Sequence, residues 1–260
     1  MIIDSHFHFS SMMRKGITTL PEDLIGIDIG TDGGDERERI AVLPKSKNIF
    51  ISIGSGPWVL DDKSYESYEK EREKLLADYN EFGCDAIGEC GYDNHWGYGT
   101  KEEQEKLFMM QLELASELML PIIIHTRDAD EEIKAAFESE AFRCRGIMHC
   151  FSSDISLMRK ALDKGLYISF AGNATYKSNV KIQEAAKYVP TDRILYETDS
   201  PYLAPLPMRG KPCCPEYTEY TLDFLSALRG EDREKLKEAV KDNLYAVLQR
   251  EESVRKLSLS

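Results

Sequence analysis

Histidine and tryptophan are scarce in this sequence, and cysteine forms no recognisable framework. The 260 residues include five histidines, two tryptophans and six cysteines. No two cysteines have Cys-x-x-Cys spacing, and Cys213 and Cys214 are adjacent, which suits neither an ordinary disulfide nor a zinc ribbon. We therefore predict reduced thiols that mostly serve as buried packing groups.

Long apolar runs are also missing. None approaches the ~18 residues of a membrane span. The apolar start is interrupted by Asp4 and His6, unlike a secretory signal, which needs a basic start and a longer apolar stretch. We predict a cytoplasmic protein without membrane association, with a monomer as the default oligomeric state.

The charge balance is strongly acidic, with a formal net charge of −13. This excess argues against broad, nonspecific attachment to nucleic acid, which depends on phosphate neutralisation by Lys and Arg. It does not argue against a phosphate substrate in one cleft, because a bound divalent cation can dominate the local field.

What is present is an alternation of eight short, β-like apolar runs with segments whose apolar residues recur at helical spacing. Strand then helix, repeated eight times, is typical of a parallel barrel. An open doubly wound sheet is the alternative, but no Gly-x-Gly-x-x-Gly loop opens any helical segment. We predict one α/β domain, a TIM-type (β/α)8 barrel over residues 1–250, and a polar tail over 251–260. The predicted strands are Ile2–Phe7, Leu24–Ile29, Ile49–Ile53, Ala86–Glu89, Pro121–His125, Gly146–Cys150, Leu166–Phe170 and Ile194–Glu197.

Residue types that ligate metals fall at the C-terminal ends of these predicted strands. All strand C-termini of a barrel open onto one face, so residues far apart in sequence converge there. Side chains alternate across a strand, so His6 and His8 aim their imidazoles to the same side. The same alternation predicts that Cys90 and Cys150 point away from the centre. The candidate ligands are His6, His8, Glu89, His125, His149 and Asp199.

A lone histidine at a strand end is more often a hydrogen-bonded structural residue than a ligand. Here four of the five histidines take such positions beside two carboxylates, which favours a metal site. This donor set exceeds what one tetrahedral site needs, so we predict two divalent cations. Mixed imidazole and carboxylate donors suit zinc, manganese or cobalt, and magnesium stays open as the working ion. The predicted assignment is His6, His8 and Asp199 on one cation, His125 and His149 on the other, and Glu89 on both.

Six motifs in this order resemble the TatD family of metal-dependent hydrolases, within the amidohydrolase-like barrels. The similarity runs from the first strand to about Leu248. It implies a TIM-type barrel, a divalent metal centre and hydrolytic activity, usually assigned as deoxyribonuclease and often as a 3′-to-5′ exonuclease on single-stranded ends. The family's ligands carry over to the six positions reached above. The motifs are DSHFH, IGECGYD, IIIHTRDAD, GIMHCFS, SFAGNATYKS and YETDSPYLAP.

Three departures from the family pattern lie on the substrate side. Where a Gly-x-His-Pro turn is usual after the third strand, this chain has Gly54-Ser55-Gly56-Pro57-Trp58. The usual Pro-His-Arg-Gly-Lys-Arg-Asn-Glu-Pro stretch reads Pro-Met-Arg-Gly-Lys-Pro-Cys-Cys-Pro over residues 207–215, and Tyr92 replaces a leucine. None removes a candidate ligand. A hydrolase of a small ester, lactone, amide or phosphoester is therefore the first alternative, because fold and metals do not fix substrate. A non-catalytic metal-binding or interaction protein would be expected to lack a ligand.

Two carboxylates are the predicted catalytic residues: Asp199 as proton acceptor from the metal-activated water, and Glu89 as the bridge. Arg127 is a candidate for seating the substrate phosphate, with a salt bridge to Asp128 or another acidic residue at the barrel mouth as the alternative. His95, beside Trp96, is a candidate nucleotide contact, with an ordinary exposed loop histidine as the alternative. Arg209 and Lys211 on the loop after the eighth strand are further candidates, with a solvated loop pair as the alternative. The expected partner is a single-stranded DNA end bound as substrate.

Overall fold

Eight runs of mostly buried residues form parallel strands in the computed structural model, which describes residues 1–31 and 36–249. The strands hydrogen-bond in sequence order from first to last, which confirms the predicted barrel. The polar tail predicted for residues 251–260 lies outside the described residues. The strands are β1 (Ile2–Phe7), β2 (Leu24–Asp28), β3 (Ile49–Ile53), β4 (Ala86–Asp93), β5 (Ile122–Arg127), β6 (Gly146–Met148), β7 (Tyr167–Phe170) and β8 (Ile194–Tyr196).

Helices cover the outside of the barrel, and several of them begin at a side chain that caps the first turn. Thr100 accepts a hydrogen bond from the Glu103 backbone, and the Glu103 carboxylate accepts one from the Thr100 backbone. The side chains of Asp154 and Asp232 accept hydrogen bonds from backbone N–H groups at the start of two further helices, without the reciprocal bond seen at Thr100. Across the described ranges the helices are α1 (Phe9–Arg14), α2 (Glu36–Val42), α3 (Tyr68–Phe82), α4 (Lys101–Glu117), α5 (Asp130–Glu138), α6 (Ile155–Asp163), α7 (Val180–Tyr188), α8 (Thr218–Arg229) and α9 (Arg233–Val247).

No helix within residues 1–31 and 36–249 is both long enough and apolar enough to cross a bilayer.

The fourth and fifth strands run further than predicted. Their pairing continues past Glu89, with Gly91 opposite His125 and Asp93 opposite Arg127. Gly91 allows this approach, because a Cβ built there would lie 1.9 Å from the His125 carbonyl oxygen. The longer pairing places Asp93 on the same side of β4 as Glu89, next to the candidate metal ligands.

The seam between β1 and β8 closes the barrel with few backbone hydrogen bonds. The His8 backbone donates to the Ser200 carbonyl, and the Asp199 backbone donates to the His6 carbonyl, each at 2.9 Å. Asp4 is fully buried here, and its Oδ1 accepts from the Thr198 backbone at 2.9 Å. Burial raises the pKa of Asp4 well above its usual value, although hydrogen bonds from Thr198 oppose the shift. The seam thus joins residues near the start of the chain to residues about two hundred positions later.

A buried ion cluster supports the turn that follows His8. Asp28 Oδ1 accepts a hydrogen bond from the Phe9 backbone at 2.8 Å. The Arg39 guanidinium pairs with the carboxylates of both Asp28 and Glu36, and all three residues are buried. Pairing of this kind is what makes buried charges tolerable. The cluster fixes the start of α1 directly after the second candidate histidine ligand.

Candidate metal centre

Six side chains from five strands converge at the C-terminal mouth of the barrel. They are the imidazole and carboxylate donors singled out from the sequence, and all but His125 and Asp199 are buried. Within the described residues, sets of these donors offer ligand atoms that all lie within 4.8 Å of one another. The three sets are His6, His149 and Asp199; His6, His8 and Glu89; and Glu89, His125 and His149.

Glu89 lies between two pairs of imidazoles and presents one carboxylate oxygen to each. Its Oε2 is 3.3 Å from His6 Nε2 and 3.8 Å from His8 Nε2. Its Oε1 is 2.9 Å from His125 Nδ1 and 2.8 Å from His149 Nε2. A carboxylate with two oxygens on two separate nitrogen pairs has the arrangement of a bridging ligand.

Asp199 completes the site beside the first pair. Its Oδ1 is 3.2 Å from His8 Nε2 and 3.7 Å from His6 Nε2. Asp199 has φ of +58°, a left-handed conformation that Asp adopts more readily than most residues. Asp199 lies three residues after the end of β8, and its backbone N–H donates to the His6 carbonyl at 2.9 Å. The side chain is 16% exposed, so water reaches it from the cleft.

The donors fit a divalent cation by chemistry and by spacing. The Nε2 atoms of His6 and His8 are 3.2 Å apart, and His125 Nδ1 is 3.3 Å from His149 Nε2. Ligand atoms about 2.1 Å from a tetrahedral cation stand about 3.4 Å from one another. When the ring nitrogens of two neutral imidazoles face each other, only one of them can carry a proton, and a lone pair stays without a donor when neither does. A cation between the two nitrogens would bind both lone pairs.

Burial and charge shift the pKa values of these groups in different directions. Burial lowers the pKa of His6, and the neighbouring His149 lowers it further. Burial also disfavours the charged form of His149, but the charge of Glu89 and a hydrogen bond to Glu197 outweigh it and raise the His149 pKa well above its usual value. For Glu89, burial is outweighed by His149 and the other imidazoles, which hold the pKa well below its usual range. Glu89 is therefore an anion at neutral pH.

Two carboxylates that the sequence reasoning missed hold the second imidazole pair from behind. Asp93 Oδ2 is 3.2 Å from His125 Nε2, and Glu197 Oε1 is 3.2 Å from His149 Nδ1. Carboxylates on the outer nitrogen orient a ligating imidazole and raise its basicity. Strand alternation could have found Asp93, which lies four residues after Glu89 on the same strand, whereas Glu197 lies just past the end of β8.

An open cleft of about 1020 Å³ lies above the candidate metal ligands. Arg127 and His95, both predicted to contact substrate, line it. Asp128 pairs with His95 at 3.1 Å rather than with Arg127. Arg209 and Lys211 are exposed and do not line the cleft; the Arg209 guanidinium carbon lies 4.3 Å from the Tyr176 ring centroid.

The prediction that Cys150 points away from the site is wrong, whereas Cys90 does lie in the core. Cys150 lines the cleft and its sulfur accepts a hydrogen bond from Asn173 at 3.8 Å. The strand ends at Met148, and Cys150 has φ of +44°, so strand alternation no longer governs its direction. No cysteine belongs to the candidate metal-ligand sets found among the described residues.

The profile of the family described as TatD related DNase matches residues 3–249. The chain belongs to the TatD-related DNase family. The metal-dependent hydrolase YcfH of Escherichia coli K12 is 38% identical over 253 residues, covering 93% of this chain and 93% of YcfH. The 3′-5′ ssDNA/RNA exonuclease TatD of Salmonella typhimurium is 34% identical over 209 residues, covering 78% of this chain and 79% of that protein.

The fold matches a solved member of the same group. The crystal structure of YjjV, a TatD homologue from Escherichia coli K12, superimposes with a TM-score of 0.79. The superposition covers 95% of this chain and 97% of YjjV at 23% sequence identity. At this identity the similarity is evidence for the fold alone. Family membership and the assembled donors together identify this TatD-family protein as a metal-dependent hydrolase.

Proposed function

We propose that this hydrolase is a nuclease that removes nucleotides from the 3′ end of single-stranded DNA with two divalent cations. The observation that carries the proposal is the division of Glu89 between two imidazole pairs at the floor of an open cleft. A pair of cations suits in-line displacement at a phosphodiester, because both attacking and leaving oxygens need charge neutralisation. The relative named as a 3′-5′ ssDNA/RNA exonuclease supports the substrate class.

The chain's own groups take distinct roles in this proposal. Glu89 and the four imidazoles, with Asp199, would hold the cations, which when bound supply a water of lowered pKa and positive charge for the phosphate. Asp199 is the proposed proton acceptor, since its carboxylate is at once beside His8 and open to water in the cleft. Zinc, manganese, cobalt and magnesium are the candidate ions.

Two arginines are placed to bind the charged backbone of a substrate. Arg127 follows His125 at the end of β5, and Arg14 lies on α1 just after β1; both line the cleft. The first and fifth strands of an eight-stranded barrel are on opposite sides, so the two cationic groups flank the centre. Guanidinium groups bind phosphate oxygens in a bidentate way, which would fix the scissile group in place.

The decisive experiment compares substrates on metal-reconstituted protein. Metal-stripped protein is loaded separately with magnesium, manganese or zinc and given single-stranded DNA labelled at its 5′ end. Stepwise shortening from the 3′ end supports the proposal, and the same DNA with a blocked 3′ terminus should resist. Folded, loaded protein that leaves DNA intact with every ion would overturn it.

A small-molecule hydrolase is the second candidate, favoured by the sparse positive charge around the site. Arg209 and Lys211 lie outside the cleft, and the chain carries a net charge of −13. A small ester, lactone, amide or phosphoester needs fewer cationic contacts than a DNA strand. Turnover of p-nitrophenyl esters or phosphodiesters by protein inert toward DNA would favour this candidate. Under either function we infer a cytoplasmic protein and take a monomer as the default.

A further inference from the structure

Both tryptophans of the chain line the same side of the cleft. Trp58 comes from the turn after β3, and Trp96 comes from the loop after β4, where Tyr98 joins them. Trp96 is 63% exposed, unusually open for the largest aromatic side chain. We call these three residues the aromatic wall. The wall presents flat apolar surface to the cleft directly beside a metal-ligating imidazole.

The inner part of the wall is built where this chain departs from the family's Gly-x-His-Pro turn. Gly56 takes the place of the histidine, and a Cβ built there would lie only 2.1 Å from an atom of the Trp58 ring. The missing side chain thus makes room for the indole. Trp58 Nε1 donates to the Thr31 carbonyl at 3.1 Å, and its ring stands edge-on to His125 with centroids 5.6 Å apart. The absence of a side chain at position 56 is therefore what lets the Trp58 ring take this place beside His125.

The outer part of the wall is tied to the metal centre through one carboxylate. Asp93 Oδ1 accepts hydrogen bonds from the backbones of His95 and Trp96 at 2.9 and 3.0 Å. Its other oxygen, Oδ2, is the atom that contacts His125. The loop that carries Trp96 is therefore held in fixed relation to a candidate ligand. The guanidinium carbon of Arg127 lies 5.6 Å from the Trp96 ring, so positive charge adjoins the exposed aromatic face.

We propose that the aromatic wall is a base-binding subsite, in which the base of the substrate's 3′-terminal nucleotide stacks while its phosphate lies at the metal centre. This inference rests on the proposed nuclease function and assigns its substrate contacts. Every base has a π-face, so stacking on Trp96 and Trp58 binds single strands with little dependence on sequence. A base paired within a duplex would have no free face to offer, so the wall favours unpaired ends.

Binding of two product-like compounds to metal-loaded protein tests the subsite without any phosphodiester cleavage. The probes are 2′-deoxyadenosine 5′-monophosphate and 2-deoxyribose 5-phosphate, which differ only in the base. Calorimetric titration should give about ten-fold tighter binding for the nucleotide. Because both tryptophans belong to the wall, the nucleotide should also quench the protein's tryptophan fluorescence, and the sugar phosphate should not.

Three variants locate the effect. Trp96→Ala should weaken nucleotide binding about ten-fold and leave sugar phosphate binding unchanged, and Trp96→Phe should restore most of the loss. Tyr188→Ala removes an aromatic side chain that is 64% exposed on α7 and outside the cleft, and should change neither affinity. Because Trp96 is largely exposed, its removal should leave the thermal unfolding temperature within a few degrees of the parent's.

The results separate the subsite from the activity. Equal affinity for the two probes, or equal weakening of both by Trp96→Ala, would overturn the subsite even if the protein degrades DNA. Base-dependent binding by a protein that releases no nucleotides would keep the subsite and reject the nuclease proposal.

Discussion

The two imidazole pairs of the metal centre differ in how they are held from outside. In the His125–His149 half, each outer ring nitrogen meets a carboxylate, from Asp93 and Glu197. In the His6–His8 half, the Nδ1 of His6 has no hydrogen-bond partner among the described residues. Outer carboxylates fix the ring orientation and strengthen a ligand. Both rings of one pair are therefore held by a carboxylate on the outer nitrogen, whereas the His6 ring has no such support.

The halves also differ in their surroundings. The His125–His149 half adjoins the aromatic wall and Arg127. The His6–His8 half lies at the seam of the barrel, and its aromatic neighbour is Tyr202, 6.3 Å from the His8 ring. Under the proposed nuclease function, the half beside the aromatic wall would bind the leaving nucleotide, and Asp199 in the other half would receive the proton from water.

Glu89→Gln should have the largest effect, because Glu89 joins both halves. A neutral amide with one acceptor oxygen cannot serve four imidazoles, so both cations should be lost and kcat should fall roughly 1000-fold or more. Metal content by mass spectrometry and hydrolysis rate provide the readouts. Glu113→Gln, an exposed position on α4, is the matched control. Retention of one cation at full occupancy would contradict a shared carboxylate.

Asp93→Asn should change the affinity of only one of the two cations, because Asp93 contacts only the His125–His149 half. Removing the charge behind His125 should weaken one of the two cations about 10- to 100-fold and spare the other. Chelator competition would then show two release phases instead of one shifted phase. Asp163→Asn, on the exposed surface of α6, controls for loss of a negative charge. If both cations weaken equally, the halves are not independent.

Arg127→Ala should have a moderate effect, confined to substrate binding. Loss of a charged hydrogen bond to phosphate should raise KM for single-stranded DNA about five- to ten-fold with little change in metal content. Arg209→Ala and Lys211→Ala should change KM less than about two-fold, since both residues lie outside the cleft. A larger increase in KM from either loop variant would indicate that the DNA strand crosses the cleft beside His6 and His8 instead of beside Arg127.

The number of protons released when the cations bind should differ only slightly between the two imidazole pairs. This is the smallest of the expected effects. Burial opposes protonation of His125, but Asp93 and Glu89 outweigh it and raise the His125 pKa; the His149 pKa is raised as well. A raised pKa means that a larger fraction of these imidazoles is protonated at neutral pH, so the cation must displace those protons. In the other pair the pKa of His6 is lowered, so His6 contributes none. Only His8 has a proton to release there, since burial opposes its protonation but Asp199 and Glu89 outweigh burial and raise its pKa.

Calorimetry in buffers of different ionisation enthalpy measures this release. At pH 7 the cation bound by the His125–His149 half should release more protons than the other cation, and the difference should vanish at higher pH. The reverse ranking would show that the carboxylates behind His125 and His149 do not govern their protonation.

Much of this architecture could be predicted, because all strands of a parallel barrel end at the same face and so bring distant residues together there. Alternation of strand and helix indicated the eight strands, and each of the six donors lies at or near the mouth where its strand leads. Strand ends were harder, since β4 and β5 extend each other by pairing that no local pattern reveals. The short helix α1 was not predicted, because it depends on the buried Asp28 carboxylate that holds the Phe9 backbone.

Substrate-side residues could not be placed from sequence for a related reason. Loops are directed by contacts made elsewhere, as Asp128 shows by pairing with His95 instead of neighbouring Arg127. Arg209 packs on Tyr176 and so stays outside the cleft. Cys150 lines the cleft because β6 ends at Met148, two residues earlier than predicted. Where regular structure stops, side-chain direction no longer follows from position in the chain.

The seam between the first and last strands has a consequence for how the protein is made. Synthesis proceeds from the N-terminus, so His6 and His8 leave the ribosome long before Asp199. His6 and His8 therefore wait through most of translation for Asp199, and a cation held by these three residues could stabilise only a polypeptide whose eighth strand has emerged. A chain that stops before Asp199 would lack this contribution to its stability, so the ligand set itself links metal binding to the last strand of the barrel.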